Sequence, residues 1–341
     1  MKLSRAFSSC FKQAFQSLSS GLAEEVVVNH RRLVIVRLLG EGGYSFVYLA
    51  RCCETGQEFA LKKILAQTSE QLELAKNEID VMHKFKHANL LSLVDSEAKR
   101  GTAKDQSQNV VHLLFLAYKD GTVVDLVERS QNIHPVVVLN IFLQVCRGCQ
   151  CMHGSGKAGG GYAHRDIKPH NVLLSRDERE EGSLDPYQAV LMDFGSARPA
   201  RVTIKSRAEA LKAQEEAESH TTGTYRSPEL FDCPSEIVLD ERTDVWSLGC
   251  LLYYMCFGES PFEYVLSQAG GSLALAVISG KINWPDKGKG YHPVIVSLCK
   301  DLLKQDLSSR PFIDEVIRAT EEALDKVMSS STAVSEAKEE G

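Results

Sequence analysis

The sequence predicts an α+β fold in two parts: a small antiparallel β-sheet with one helix, then a larger, mostly helical part. Three observations carry the prediction. Short β-branched and aromatic runs separated by glycine-containing turns fill residues 33–118. Long apolar segments, Pro135 to Met152 and Asp244 to Phe257, dominate the remainder of the chain. The turn signal Lys119-Asp120-Gly121-Thr122 marks the join. With 341 residues, of which 43% are hydrophobic and 25% charged, the chain can build a sizeable core in one large domain or two lobes.

Taken in order, residues 1–28 stand apart as an amphipathic or flexible segment. Phe7, Phe11, Phe15 and Leu18 recur at helical spacing between basic residues. A membrane-surface helix with lipid on Cys10, an organelle transit peptide, and a frayed or packed terminus all fit this pattern. Residues 29–118 form the first lobe. Leu33 to Leu39 and Tyr48 to Ala50 read as strands around a glycine-rich turn. Phe59 to Ile64 is a third strand, Gln67 to Lys86 a helix, and Asn109 to Tyr118 a further strand. Residues 119–326 form the second lobe, with strands at Val172–Leu174 and Val190–Met192 and a partly helical polar stretch over 196–222. The glycine run from Gly154 to Gly161 and the charged stretch 176–187 read as loops, and residues 327–341 as a disordered tail.

Several function classes are excluded at once. A net charge of −6 gives no basic footprint for nucleic acid. No uninterrupted apolar run reaches the roughly 18–20 residues of a membrane span. The ten cysteines include the cluster Cys146, Cys149 and Cys151, which lies in an apolar helical pattern without a second ligand pair. Core packing of reduced thiols is the better reading than zinc.

The chemistry concentrates in Ala163 to Leu174. Asp166, Lys168 and Asn171 stand beside the rigid Pro169 and just before a strand. Acid, cation and amide packed this densely suit the holding of a hydroxyl, a phosphate and a metal. Upstream, Gly40-Glu41-Gly42-Gly43-Tyr44-Ser45-Phe46-Val47 joins two strands, so backbone N–H groups can approach phosphate oxygens. It is not a P-loop, because no Gly-Lys-Ser/Thr comes after it. Downstream, a strand delivers Asp193-Phe194-Gly195, and Thr224-Tyr225-Arg226-Ser227-Pro228-Glu229 comes later.

In this order, these motifs resemble the eukaryotic protein kinase family over residues 33 to 325. The resemblance implies the bilobal kinase fold, and ATP and Mg²⁺ as cofactors. The loop Gly40–Val47 would cover ATP, with Ser45 where a third glycine is usual. Leu39, Val47 and Ala60 would enclose the adenine above and Leu173 below. Phe115 would stand behind it, and the backbone of Leu116 to Tyr118 would bind its edge. Lys62, paired with Glu78, would hold the phosphates. Asp166 would be the catalytic base and Lys168 would stabilise the transferring phosphoryl group. Asn171 and Asp193 would bind Mg²⁺, and Arg165 would pair with an anion of the activation segment. His164 would pack rather than react. Thr224, with Lys168, would mark Ser/Thr specificity, and Arg310 would pair with buried Glu229.

Finer similarity points to the Numb-associated kinase family. It is carried by Gly42–Val47, Tyr162–Asp166, Met192–Ser196, Thr224–Phe231 and Asp240–Cys250. That family has an extra helical element, which residues 199–222 and 230–243 could supply. The implied activity is a protein serine/threonine kinase acting on Ser/Thr of protein substrates and on itself. Because Lys62, Asp166, Asn171 and Asp193 are all present, catalysis is favoured over a pseudokinase scaffold. A dual-specificity kinase at secretory-pathway membranes is a further alternative. A cytoplasmic location is expected. Peripheral contact with Golgi or other membranes rests on the N-terminal segment alone, since Lys2 replaces the glycine that N-myristoylation requires.

Overall fold

A computed structural model describes residues 24–100, 109–130, 132–154, 161–176, 186–268, 270–284 and 291–339. The N-terminal aromatic stripe, Cys10, the glycine loop 155–160 and the charged loop 177–185 lie outside the described residues. The chain divides into two compact units. One runs to His83 and adds Ser92–Ala117; the other comprises Lys84–Leu91 and everything from Tyr118.

The first unit is an antiparallel sheet with one helix. Its elements are β1 (Glu25–Val28), β2 (Arg31–Gly42), β3 (Ser45–Cys52), β4 (Glu58–Ala66), α1 (Ser69–Lys84), β5 (Leu93–Lys99) and β6 (Asn109–Leu116). The strands lie in the order β1-β2-β3-β4-β6-β5. One face packs Val28, Leu33, Ala50, Leu61 and Leu114, all fully buried. In β4, Phe59 and Leu61 point into this core, so Ala60 and Lys62 occupy the opposite face. Helix α1 begins where the Thr68 hydroxyl accepts the Gln71 amide at 3.2 Å. Its buried residues are Ala75, Glu78, Val81 and Met82, so Glu78 lies among apolar neighbours on the inward side.

One sequence expectation is corrected in this unit. Residues 25–28 belong to the sheet rather than to a loose leader. The β-branched Val26–Val28 pair with Arg31–Leu33 around a turn in which Asn29 takes φ 51°. The polar strand β5 carries no apolar alternation, because as an edge strand it is held mainly by backbone pairing to β6.

The second unit is mainly helical. It contains α2 (Val123–Arg129), α3 (Pro135–His153), β7 (Tyr162–Ala163), β8 (Val172–Arg176), β9 (Tyr187–Leu191), β10 (Arg198–Pro199), β11 (Val202–Ile204), α4 (Arg207–His220), α5 (Pro228–Phe231), β12 (Ile237–Leu239), α6 (Arg242–Phe257), α7 (Leu273–Ser279), α8 (Pro293–Leu302) and α9 (Ile313–Glu339). The pairs β7–β10, β8–β9 and β11–β12 are antiparallel.

Helix α3 is long and apolar enough to cross a membrane by length and composition. Most of it is instead buried within the unit. Cys146 and Cys149 are fully buried on it, and burial pushes both thiols up, as suits packing rather than metal binding. Helix α6 is buried on nearly every side. Its Trp246 stacks on Phe262, with ring centroids 5.8 Å apart. At Gly249 an added Cβ would lie 2.9 Å from the Leu302 Cβ, so glycine permits the close approach of α6 and α8. The tail expected to be disordered from residue 327 is helical to Glu339. Val327 is buried, and the Ala, Ser, Glu and Lys beyond it include good helix formers.

Candidate active site

In the first unit, the Lys62 ammonium lies 2.7 Å from Glu78 Oε1, with both side chains largely shielded. A buried carboxylate is costly without a partner, so this pair fixes the position of the lysine on its strand. The glycine-rich loop is a tight hairpin. Gly40 pairs with Val47, Glu41 with Phe46 and Gly42 with Ser45, leaving Gly43 and Tyr44 at the tip. The Leu65 amide donates to the Tyr44 carbonyl at 2.9 Å and steadies that tip. A Cβ placed on Gly42 would meet Ser45 Oγ at 3.0 Å. Glycine at 42 therefore accommodates the serine that replaces a third glycine. Leu39, Tyr44 and Leu116 are large apolar side chains left exposed, Ala60 and Val47 are half-buried, and Phe115 is buried. An exposed apolar surface beside a glycine hairpin suits a flat aromatic ligand with a charged tail.

In the second unit, the catalytic-loop motif is built around a buried acid on α6. Asp244 accepts from the backbone amides of His164 (2.7 Å) and Arg165 (2.8 Å), and contacts His153 Nε2 at 2.9 Å. Burial alone would raise the Asp244 carboxyl, but these hydrogen bonds and the nearby histidines hold it below its ordinary value. The double clasp holds Arg165 at φ 68°, a conformation that non-glycine residues adopt only under constraint. His164 is fully buried. Its Nδ1 accepts the Asp166 amide at 3.3 Å, so its Nε2 carries the proton toward the Met192 carbonyl at 3.1 Å. Its ring meets Phe194 edge-on at 5.5 Å. The expected packing role of His164 thus has a concrete form: it links the two motifs.

Asp166 is engaged on both carboxylate oxygens. Lys168 Nζ donates to Oδ2 at 2.7 Å, and the Asn171 amide nitrogen donates to Oδ2 at 3.1 Å and to the backbone carbonyl at 2.8 Å. On Oδ1 the partner is Thr222, through its hydroxyl at 2.7 Å and its amide at 3.0 Å. Lys168 closes the ring by donating to the Thr222 hydroxyl at 2.8 Å. The motif alone points to Thr224 as the threonine that marks specificity. The threonine that meets both Asp166 and Lys168 is Thr222, while Thr224 lies within the 3-10 turn Gly223–Tyr225. Threonines so close in the chain are indistinguishable by composition, and only the direction in which the chain leaves α4 separates them.

Asn171 directs its NH₂ at Asp166, so its carbonyl oxygen is the atom that could meet a metal. Asp193, at φ 68°, lies at the start of the turn Phe194–Ser196. An amide oxygen and a carboxylate form the hard donor set that Mg²⁺ favours, so these residues fit that ion. Leu173, on β8, is half-buried and bridged to Thr122. Tyr118 is half-buried, and burial raises its phenol. The Arg165 guanidinium is pushed down by burial, an effect opposed by Asp244 and Glu216, and it donates to the Pro199 carbonyl at 3.4 Å. Arg310 donates to both oxygens of Glu229, at 2.8 and 2.6 Å, in a fully enclosed pair, as the sequence leads one to expect.

Comparison with known proteins agrees with this geometry. A family model described as "Protein kinase domain" matches residues 33–320. Serine/threonine-protein kinase 16 of Rattus norvegicus is 36% identical over 300 residues, covering 87% of this chain and 92% of that protein. The human protein of the same name is 36% identical over 292 residues, covering 84% and 89%. A probable serine/threonine-protein kinase of Dictyostelium discoideum is 33% identical over 351 residues, covering 85% and 93%. A kinase domain uses ATP with Mg²⁺ in general. The chain belongs to the protein kinase family and is a protein serine/threonine kinase.

Proposed function

We propose that this kinase transfers the γ-phosphoryl group of ATP to Ser/Thr hydroxyls of protein substrates with Asp166 as its base. The observation that carries the reading is the ring Asp166–Lys168–Thr222, with Asn171 alongside. These contacts fix both carboxylate oxygens, so the acid is oriented before any substrate arrives. An incoming hydroxyl gives its proton to Asp166 as its oxygen bonds to phosphorus and the bond to the ADP oxygen breaks. Lys168 lies at the same carboxylate and offsets charge on the transferring group. Asn171 and Asp193 would hold Mg²⁺, which when bound would supply positive charge to offset the negative charge developing on the phosphates. In the first unit, Lys62, braced by Glu78, would take the phosphates, while the loop Gly40–Val47 with Leu39, Ala60 and Leu116 would take the nucleotide. In the second unit, Tyr118 and Leu173 would contact adenine. Membership of the Numb-associated kinase family is supported by the helical insertion α4 and the strands β11 and β12 around it.

The test is phosphorylation of a peptide library with phosphoamino-acid analysis, using wild type, Asp193→Ala and Asp166→Asn. Phosphoserine and phosphothreonine are expected from wild type. Asp193→Ala should be inactive, and Asp166→Asn should lose roughly 10²–10⁴-fold in kcat with ATP affinity retained. Mg²⁺-dependent transfer by Asp193→Ala would overturn the metal assignment.

A further inference from the structure

We propose that Ser196 is a positioning residue that ties the turn carrying Asp193 to the C-terminal end of α4. The inference rests on the reading of Asp193 as a metal ligand. Ser196 comes directly after Asp193-Phe194-Gly195, and its hydroxyl donates to the His220 carbonyl at 2.5 Å. His220 is the last residue of α4, where carbonyls lack helical partners and the helix dipole is negative, so a hydroxyl donor is well matched there.

The next two residues continue the connection. Thr221 is clasped by Arg226, which donates to its hydroxyl at 2.6 Å and to its carbonyl at 3.1 Å. Thr222 then reaches Asp166. Three consecutive residues therefore link the metal-binding turn at one end to the base at the other.

The link has a fixed post. Helix α4 is anchored by its own small core of Ile204, Ala210, Cys233 and Leu239. The Gln214 side chain also donates to the Phe231 carbonyl. The turn is held on its other sides by Arg198, which donates to the Gly195 carbonyl at 3.1 Å, and by buried Phe194 against His164. Asp193 holds a left-handed conformation, and its carboxylate oxygen lies 3.5 Å from where a Cβ on Gly195 would stand, folded over the turn that Ser196 pins. A cavity of about 120 Å³ lined by Ser196, Arg165, Arg198, Glu216 and His220 adjoins the bond. The turn therefore has room to shift on that side once the hydroxyl is removed.

Ser196→Ala and Ser196→Thr test the proposal. In metal-free protein, Ser196→Ala should speed amide exchange in both peptides 194–198 and 217–222. In assays it should lower kcat up to about tenfold, the worth of one hydrogen bond, and raise the Mg²⁺ concentration for half-maximal rate several-fold. Peptide KM should stay unchanged, and Ser196→Thr should restore every readout. Wild-type exchange and Mg²⁺ midpoint in Ser196→Ala, or failure of Ser196→Thr to rescue, would overturn it. Asp193→Ala in parallel separates the two claims. Activity surviving in that variant removes the metal assignment, whereas the metal-free exchange reads the Ser196 link by itself.

Discussion

Thr222 donates its hydroxyl to Asp166 Oδ1 at 2.7 Å while accepting from Lys168 at 2.8 Å. A single hydroxyl thus bridges the base and its neighbouring cation, which also meet directly at 2.7 Å. It is also the reason Thr222 is a poor candidate for activating phosphorylation. A phosphoryl group there would set negative charge against Asp166 and break the ring.

Thr222→Ala should therefore lower kcat by about ten- to a hundredfold, the range expected for a lost hydrogen bond to a charged group of roughly 1.5–3 kcal/mol. Thr222→Ser should retain most activity, and Thr224→Ala should be much milder. Steady-state kinetics on one peptide substrate, with ATP saturating, distinguishes the three. Equal losses at 222 and 224 would contradict the ring.

The Glu229–Arg310 pair is the second point of leverage. Arg310 also donates to the carbonyls of Lys304, Gln305 and Arg242, and its guanidinium lies 5.1 Å from the Trp246 ring centroid. Glu229→Ala leaves this enclosed cation without its carboxylate, so the loss should be about 3–5 kcal/mol. Urea unfolding of the second unit's signal measures it, and a change under about 1 kcal/mol would contradict the assignment.

His112 supplies a pH dependence. It is buried on β6, and among the described residues neither ring nitrogen has a hydrogen-bond partner. Burial first, and then Lys63 and Lys99, push it down to about 4, with Glu97 opposing. In the unfolded chain a histidine takes up its proton near pH 6.5. Between those values the unfolded chain holds more protons, so stability should fall as pH falls from about 6.5 to about 4 and level off below. His112→Leu should flatten that window and raise the melting temperature at about pH 5. A slope unchanged by the substitution would count against His112 as its source.

The elements with strong local signals are legible in the sequence. The glycine hairpin, the strand carrying Lys62, helix α3 and the run Asp166–Lys168–Asn171 are set by residues close in the chain, through turn chemistry and apolar periodicity. The weak ones are not. Strand β5 is polar because it is an edge, and β11 and β12 are three residues each and pair across the whole of α4. The tail past 327 has a composition that suits either disorder or an exposed helix, and it is helical to Glu339.

By itself, then, the sequence determined which groups are available: a lysine on a strand, a glutamate on a helix, and an acid, an amide and a second acid beside short strands. In their order along the chain they resemble the protein kinase motifs, and that resemblance implies phosphoryl transfer. The tertiary structure alone decided which distant group completes the site. Thr222 is fifty-six residues from Asp166 in the chain, and His220 is twenty-four from Ser196. Contacts over such separations depend on where α4 is anchored and which way the chain turns at its end. That is a property of packing, which no local pattern encodes.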